Sequence, residues 1–203
     1  MLSAYAGKPE VPVPWLPAPL TQANRTPDPA NSRLANTDRV LHDRLGLGRV
    51  TGRLASVCEG RKTKAENIHL TLVFVGEVDA SQVDALCQAA DEIEGSGAKA
   101  FDLVIERICM WKRKNIVYAE INEVPKPLID LVEALQSRLS LAGFSLEERP
   151  YKPHITLMRN ASCKTLPVAE PMVWRAREWV LVKSDQTSDG SVYTTIGRWS
   201  LEG

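Results

Sequence analysis

The same four-residue word, His-x-Thr-Leu, occurs twice in this chain, as His69-Leu70-Thr71-Leu72 and His154-Ile155-Thr156-Leu157, and each copy heads an apolar run. Side chains of a strand alternate between two faces. His69 and Thr71 therefore share one face, with Leu70, Leu72 and Phe74 on the other; His154 and Thr156 likewise share a face against Ile155 and Leu157. Each copy turns a polar pair to one side and an aliphatic pair into a core, which is what the wall of a cleft requires. The chain has three histidines, and two of them carry this context, 85 residues apart. With Thr and Leu at ordinary frequencies, chance duplication is on the order of one in ten thousand. His42, in a helical stretch without that context, reads as a surface residue.

Two imidazoles facing one cleft can move protons as a pair. An unperturbed histidine, with a pKa of about 6.5, allows one ring to be neutral and the other cationic near neutrality. The neutral ring takes a proton from attacking water, the imidazolium gives one to a departing oxygen, and each transfer is worth roughly 10²–10⁴ in rate. The hydroxyls of Thr71 and Thr156 suit the non-bridging oxygens of a phosphate. Neither a nucleophilic side chain nor a metal is needed.

The remaining pattern is α+β. A helix over 39–58 follows a cap at Asp38, with Val40, Leu41, Leu45, Leu47, Val50 and Leu54 as its apolar residues. His69–Val75 reads as a strand closed by Gly76, and a helix from Asp79 or Ser81 runs to about Glu94, ended by Gly95. Phe101–Met110 and Asn115–Ile121 form paired strands around Lys112-Arg113-Lys114. The spacing of Leu128, Leu131, Val132, Leu135 and Leu139 predicts a helix over Lys126–Ala142 with Gly143 as its C-cap. His154–Met158 is the second histidine-headed strand, and Trp179–Lys183 with Val192–Trp199 make a hairpin around Ser188-Asp189-Gly190. Seven of the thirteen prolines fall in residues 1–30, so we expect a poorly ordered leader or an arm lying on the body there, and a single domain over 31–203.

Lys+Arg and Asp+Glu both number 25, so the formal charge is zero. A general DNA or RNA coat would be basic; zero leaves room for a local basic cleft. Cys58, Cys87, Cys109 and Cys163 never come closer than 22 residues, which gives neither a metal-ligand pair nor a disulfide framework. They read as reduced, buried cysteines, and with no apolar run long enough to span a bilayer the expected setting is cytoplasmic. Oligomeric state leaves no signature.

Further candidates flank the two words. Arg159 could clamp a phosphate bidentately, but a regular strand would point it away from His154, so the chain must bend or bulge there. Lys62 and Lys64 could widen a positive rim or simply be solvated. Trp111 and Tyr151 could stack on a base, though core packing is the stronger reading; Trp174, Trp179 and Trp199 read as core or edge.

The segments Lys64-Ala65-Glu66-Asn67-Ile68-His69-Leu70-Thr71-Leu72-Val73-Phe74-Val75-Gly76-Glu77-Val78 and Arg149-Pro150-Tyr151-Lys152-Pro153-His154-Ile155-Thr156-Leu157-Met158-Arg159 resemble the two signatures of the 2H phosphoesterases, in the branch of the RNA 2′,3′-cyclic phosphodiesterases, also called 2′-5′ RNA ligase-like (LigT-like) proteins. The likeness spans about residues 38–200. It implies a bilobal α+β fold with a pseudo-twofold axis: two antiparallel-rich sheets with outer helices around a central cleft. It implies hydrolysis of an RNA-terminal or nucleoside 2′,3′-cyclic phosphate to a 2′-phosphomonoester, with no metal, ATP or other cofactor and no DNA or membrane partner. It makes His69 the general acid and His154 the base, roles that local symmetry allows to exchange, and gives the phosphate to Thr71, Thr156 and Arg159. Family members open with an apolar strand, whereas the matching Asn31-Ser32-Arg33-Leu34-Ala35-Asn36-Thr37 is polar; that strand is replaced or missing, or the leader supplies a substitute. Two other functions use the same cleft: a module that binds RNA ends or cyclic nucleotides without turnover, and 2′-5′ joining of RNA by the reverse reaction.

Overall fold

Nine strands and three α-helices occupy the residues that the computed structural model describes, which are 2–5, 33–34, 47–147, 149–168, 171–187 and 190–203. In chain order the strands are β1 (Leu2–Tyr5), β2 (Arg33–Leu34), β3 (Cys58–Lys62), β4 (Phe101–Trp111), β5 (Ile116–Ile121), β6 (His154–Cys163), β7 (Met172–Ala176), β8 (Glu178–Thr187) and β9 (Gly190–Ser200). The helices are α1 (Leu47–Val57), α2 (Val83–Glu94) and α3 (Lys126–Leu141).

The described strands form two antiparallel sheets. One has the spatial order β3-β6-β5-β4-β7. In the other, β8 is bordered by β9 along one edge and by β1 and then β2 along the other. One continuous core joins the two, running from Leu54 and Leu70 through Leu86, Leu131 and Ile155 to Trp174 and Trp179. The indole of Trp179 stacks on Trp199, with 4.6 Å between ring centroids, and Trp199 Nε1 donates to Asp91 Oδ1 of α2 at 2.6 Å. The three C-terminal tryptophans are thus core residues, almost fully buried.

Local signals set most helix boundaries. Asp79 and Gln82 form a reciprocal capping box ahead of α2, and Gly95 ends that helix. The five residues of the predicted α3 stripe are all buried, at about 2 kcal/mol of transfer free energy each. Gly143, at φ +87°, reverses the chain behind α3 while Phe144 N–H closes onto Leu139 O at 3.0 Å. Leu135 lies fully buried within this stripe, so Leu135→Ala would cost about 2–5 kcal/mol.

Four expectations are corrected. His69–Val75 is not a continuous ladder among the described residues: its pairing with β6 is a single bridge, Leu70 to Ile155, and the chain bends at Leu72. Leu72 and Val73 are consequently both buried, and Phe74, assigned to the core face by alternation, is 43% exposed. The helix predicted over 39–58 is described only as Leu47–Val57; Cys58 already belongs to β3, and Asp38 lies outside the described residues. The cysteines are not all reduced. β3 and β6 place Cys58 directly opposite Cys163, with Cα atoms 4.2 Å apart, and the two form a disulfide. Their separation of 105 residues hid the pair, because only the strand register brings them together. Cys87 and Cys109 remain thiols, the first buried and the second half-buried.

Leu2–Tyr5, inside the proline-rich stretch expected as a leader, pair with Leu181–Glu178, and Arg33–Leu34 pair with Ser184 and Lys183. Both segments thus lie on β8. The strands β3 and β7 had no local sequence signal strong enough to predict. No described helix is long and apolar enough to cross a membrane.

Candidate active site

The two His-x-Thr words meet at one seam. β3 borders β6 from Met158 onward, which leaves the first half of β6 free on that edge. Thr63 N–H donates to Leu157 O there at 2.9 Å, and Leu70 forms its antiparallel bridge with Ile155. One step to either side of an antiparallel bridge, His69 lies opposite Thr156 and Thr71 opposite His154. The four polar side chains make a two-by-two array on one face, with the histidines on a diagonal. Diagonal neighbours in an antiparallel pair have Cβ atoms about 7 Å apart, a span on the scale of one tetrahedral phosphate and its two contacts.

Cavities flank this seam. The smaller, about 100 Å³, is lined by His69 and Thr156 together with Arg61, Lys62, Lys64 and Tyr193. The larger, about 480 Å³, is lined by Thr71 and His154 with Phe74, Trp111, Lys114 and Tyr151. Thr156 and Arg159 line both, so they mark the junction. Arg159 reaches it by the irregularity that a regular strand lacked. Val117 pairs with Met158 but Tyr118 pairs with Thr156, so Leu157 is an extra residue in β6. Leu157 and Met158 are both buried, and the parity change returns Arg159 to the side of Thr156.

Each histidine is held by the same bond. His69 Nδ1 donates to the carbonyl of Asn67 at 2.7 Å, and His154 Nδ1 donates to the carbonyl of Lys152 at 2.8 Å, two residues upstream in both cases. A carbonyl can only accept, so each neutral ring carries its proton on Nδ1 and keeps Nε2 as an acceptor. The anchors extend outward. Asn67 Nδ2 donates to Ser191 O of β9 at 2.9 Å, and Tyr151 O–H donates to Thr71 O at 3.0 Å, tying the lead-in of the second word to the backbone of the first.

Burial lowers the pKa of both rings. His69 falls to about 4, chiefly by desolvation, opposed by its bond to Asn67 and assisted by the charges of Arg159 and His154. His154 is lowered for the same leading reason, opposed by its bond to Lys152 and assisted by Arg149, Arg159 and Lys152. At pH 7 the His69 ring is therefore neutral, and a bound anion would draw protons onto both rings. Their walls differ. The edge of Tyr193 meets His69 at 5.6 Å, whereas Trp111 and Tyr118 meet His154 at 4.6 and 5.9 Å.

Of the residues singled out in the sequence, His69, Thr71, His154, Thr156 and Arg159 come together here, with Lys62 and Lys64 on the rim of the smaller cavity and Trp111 and Tyr151 in the larger. His42 lies outside the described residues. Sequence reasoning missed Asn67, Arg61, Phe74, Ser191 and Tyr193. Asn67 acts through its carbonyl, which any residue supplies, and the β9 residues arrive from more than a hundred positions away, so none of them carried a local signal.

Residues 46–118 and 120–193 match the model of the LigT like phosphoesterases. The RNA 2′,3′-cyclic phosphodiesterase of Escherichia coli (strain K12) is 34% identical over 145 residues, covering 70% of this chain and 80% of that protein. The enzyme of the same name from Thermotoga maritima is 34% identical over 101 residues, 46% of this chain and 50% of that one. Among solved structures, E. coli LigT complexed with 3′-AMP superposes with a TM-score of 0.69 at 27% identity, over 86% of this chain and 100% of that one.

Proposed function

The chain belongs to the LigT like phosphoesterase family, and from that premise we propose that it is an RNA 2′,3′-cyclic phosphodiesterase, a hydrolase that opens a terminal 2′,3′-cyclic phosphate to a 2′-phosphomonoester. The observation that carries the reading is the diagonal pair: His69 and His154, each fixed in the same tautomer, beside Thr156 and Thr71 at the junction of two cavities.

The cyclic phosphate sits at that junction, its non-bridging oxygens held by Thr71, Thr156 and the Arg159 guanidinium. Its negative charge raises the proton affinity of both imidazoles and loads one of them. His154, neutral, takes a proton from water through Nε2 as the water oxygen bonds to phosphorus. The bond from phosphorus to the 3′-oxygen breaks, and His69 delivers its proton to that oxygen. Products are a 3′-hydroxyl and a 2′-monoester, and proton exchange with solvent resets the pair. A ring with a pKa of about 4 holds its proton weakly and passes it readily to a leaving alkoxide.

No metal or nucleotide cofactor has a part in this scheme, and we place the enzyme in the cytoplasm with RNA ends as its substrates. Counting free thiols in protein taken directly from its native cells tests the location, because a reducing compartment would leave Cys58 and Cys163 open. The function is tested by ³¹P NMR of adenosine 2′,3′-cyclic phosphate with catalytic protein in EDTA. The cyclic resonance should give way to that of the 2′-monoester. A ring left intact by stoichiometric protein would instead make the site a binding module, and a 3′-monoester would reverse the assigned leaving group.

A further inference from the structure

The smaller cavity holds more positive charge than one cyclic phosphate can use. Among the described residues four fixed cations line it, Arg61, Lys62, Lys64 and Arg159, and no carboxylate does. A cyclic phosphodiester brings a single negative charge, in a chain whose total charge is zero. Two of the cations are forced together by the fold. Arg61 of β3 is the cross-strand partner of Arg159 of β6, and both side chains reach the cavity. Like charges set directly opposite each other destabilise a sheet unless something anionic lies between or beside them. The register that imposes this pair is set by the residues of β3 just before Arg61. At Gly60, where φ is +132°, a Cβ would lie 2.7 Å from the carbonyl of Asn160, so only glycine lets β3 approach β6 there, and the same ladder continues to the pairing of Cys58 with Cys163.

Size and wall chemistry identify the guest. The cavity is too small for a nucleoside, and apart from Tyr193 its lining is polar or charged, whereas the neighbouring space of about 480 Å³ has the aromatic rings that suit a base. We propose that Arg61, Lys62 and Lys64 form a subsite for a second phosphate, the phosphodiester that enters the 5′ side of the terminal nucleotide. This rests on the phosphodiesterase reading and refines it: the substrate class is an RNA strand ending in a cyclic phosphate, and a nucleoside 2′,3′-cyclic phosphate is a truncated substrate. The 5′-phosphate lies against the cationic rim while the terminal base points into the aromatic cavity on the His154 side.

Three probes test the subsite: adenosine 2′,3′-cyclic phosphate, the same compound bearing a 5′-phosphate, and the dinucleotide ApA ending in a 2′,3′-cyclic phosphate. Wild-type kcat/KM should rise roughly tenfold or more on adding the 5′-phosphate alone, as expected for one charge-assisted phosphate contact. Further addition of the second nucleoside should add little. Arg61→Gln and Lys64→Gln together should reduce the advantage to about twofold or less and flatten its dependence on salt, while turnover of the unphosphorylated compound stays within about threefold of wild type. Equal wild-type kcat/KM for the first two probes would overturn the subsite, as would variants that lose activity equally on all three. If wild-type protein opens none of the three rings, the phosphodiesterase reading falls and takes the subsite with it.

Discussion

The two halves of the site carry the same word and the same Nδ1-to-carbonyl bond but lie in unlike surroundings. The His69 half is narrow and cationic, walled by β3 and by the β9 hairpin, and its ring is the more strongly desolvated. The His154 half is wide and aromatic. What repeats is what the chemistry needs twice: an oriented imidazole and a hydroxyl. On our proposal, what differs sorts the substrate, with phosphate on one side and nucleoside on the other. A repeated motif thus states the reaction, and the walls that distant strands bring to it choose the molecule.

If the halves work on one phosphorus, their losses must not multiply. His69→Ala and His154→Ala should each lower kcat by about 10²–10⁴, and the double variant should be little worse than the poorer single one. Multiplying losses in single-turnover assays would mean two independent sites. Arg159→Gln, at the junction of both halves, should cost about ten- to a hundredfold in kcat/KM, which steady-state kinetics on the nucleoside cyclic phosphate will show. The difference between the rings appears in pH. One ring must be neutral and one protonated, so kcat/KM should rise as pH passes about 4 and fall as it passes the lowered pKa of His154, placing the optimum below 6.5. Stability carries a related sign. The folded pKa of His69 lies below its unfolded value, so its full contribution is present above pH 6.5 and is lost as pH falls towards 4. Urea titrations at pH 7 and 5 should differ by at most about 2 kcal/mol from this ring, less as the cavity hydrates it. The smallest effect belongs to the wide half: Phe74→Ala should raise KM for a cyclic nucleotide about fivefold and leave kcat unchanged, through loss of base stacking.

Much of this was legible because it is local. The capping residues marked α2, and the leucine stripe marked α3 and its buried face. The family of the chain and its α+β architecture were legible on the same residues. Long-range pairing was not. The disulfide, the strands β3 and β7, and the attachment of Leu2–Tyr5 to β8 depend on partners far away in sequence, and no spacing rule reaches them. Phe74 was misplaced because alternation assumes a straight strand and the chain bends at Leu72. Arg159 shows the opposite outcome: the need for a bulge was readable from parity, and its position, Leu157, was not.

The central claim, that two imidazoles address one phosphorus, is tested most directly by following both rings at once. Imidazole ¹H–¹⁵N spectra should be recorded during titration with adenosine 2′-phosphate, the product of the scheme. Both Nε2 resonances should move along one binding curve that ends at a single equivalent, and both rings should gain proton affinity. Movement of only one ring, or two curves of different affinity, would contradict it.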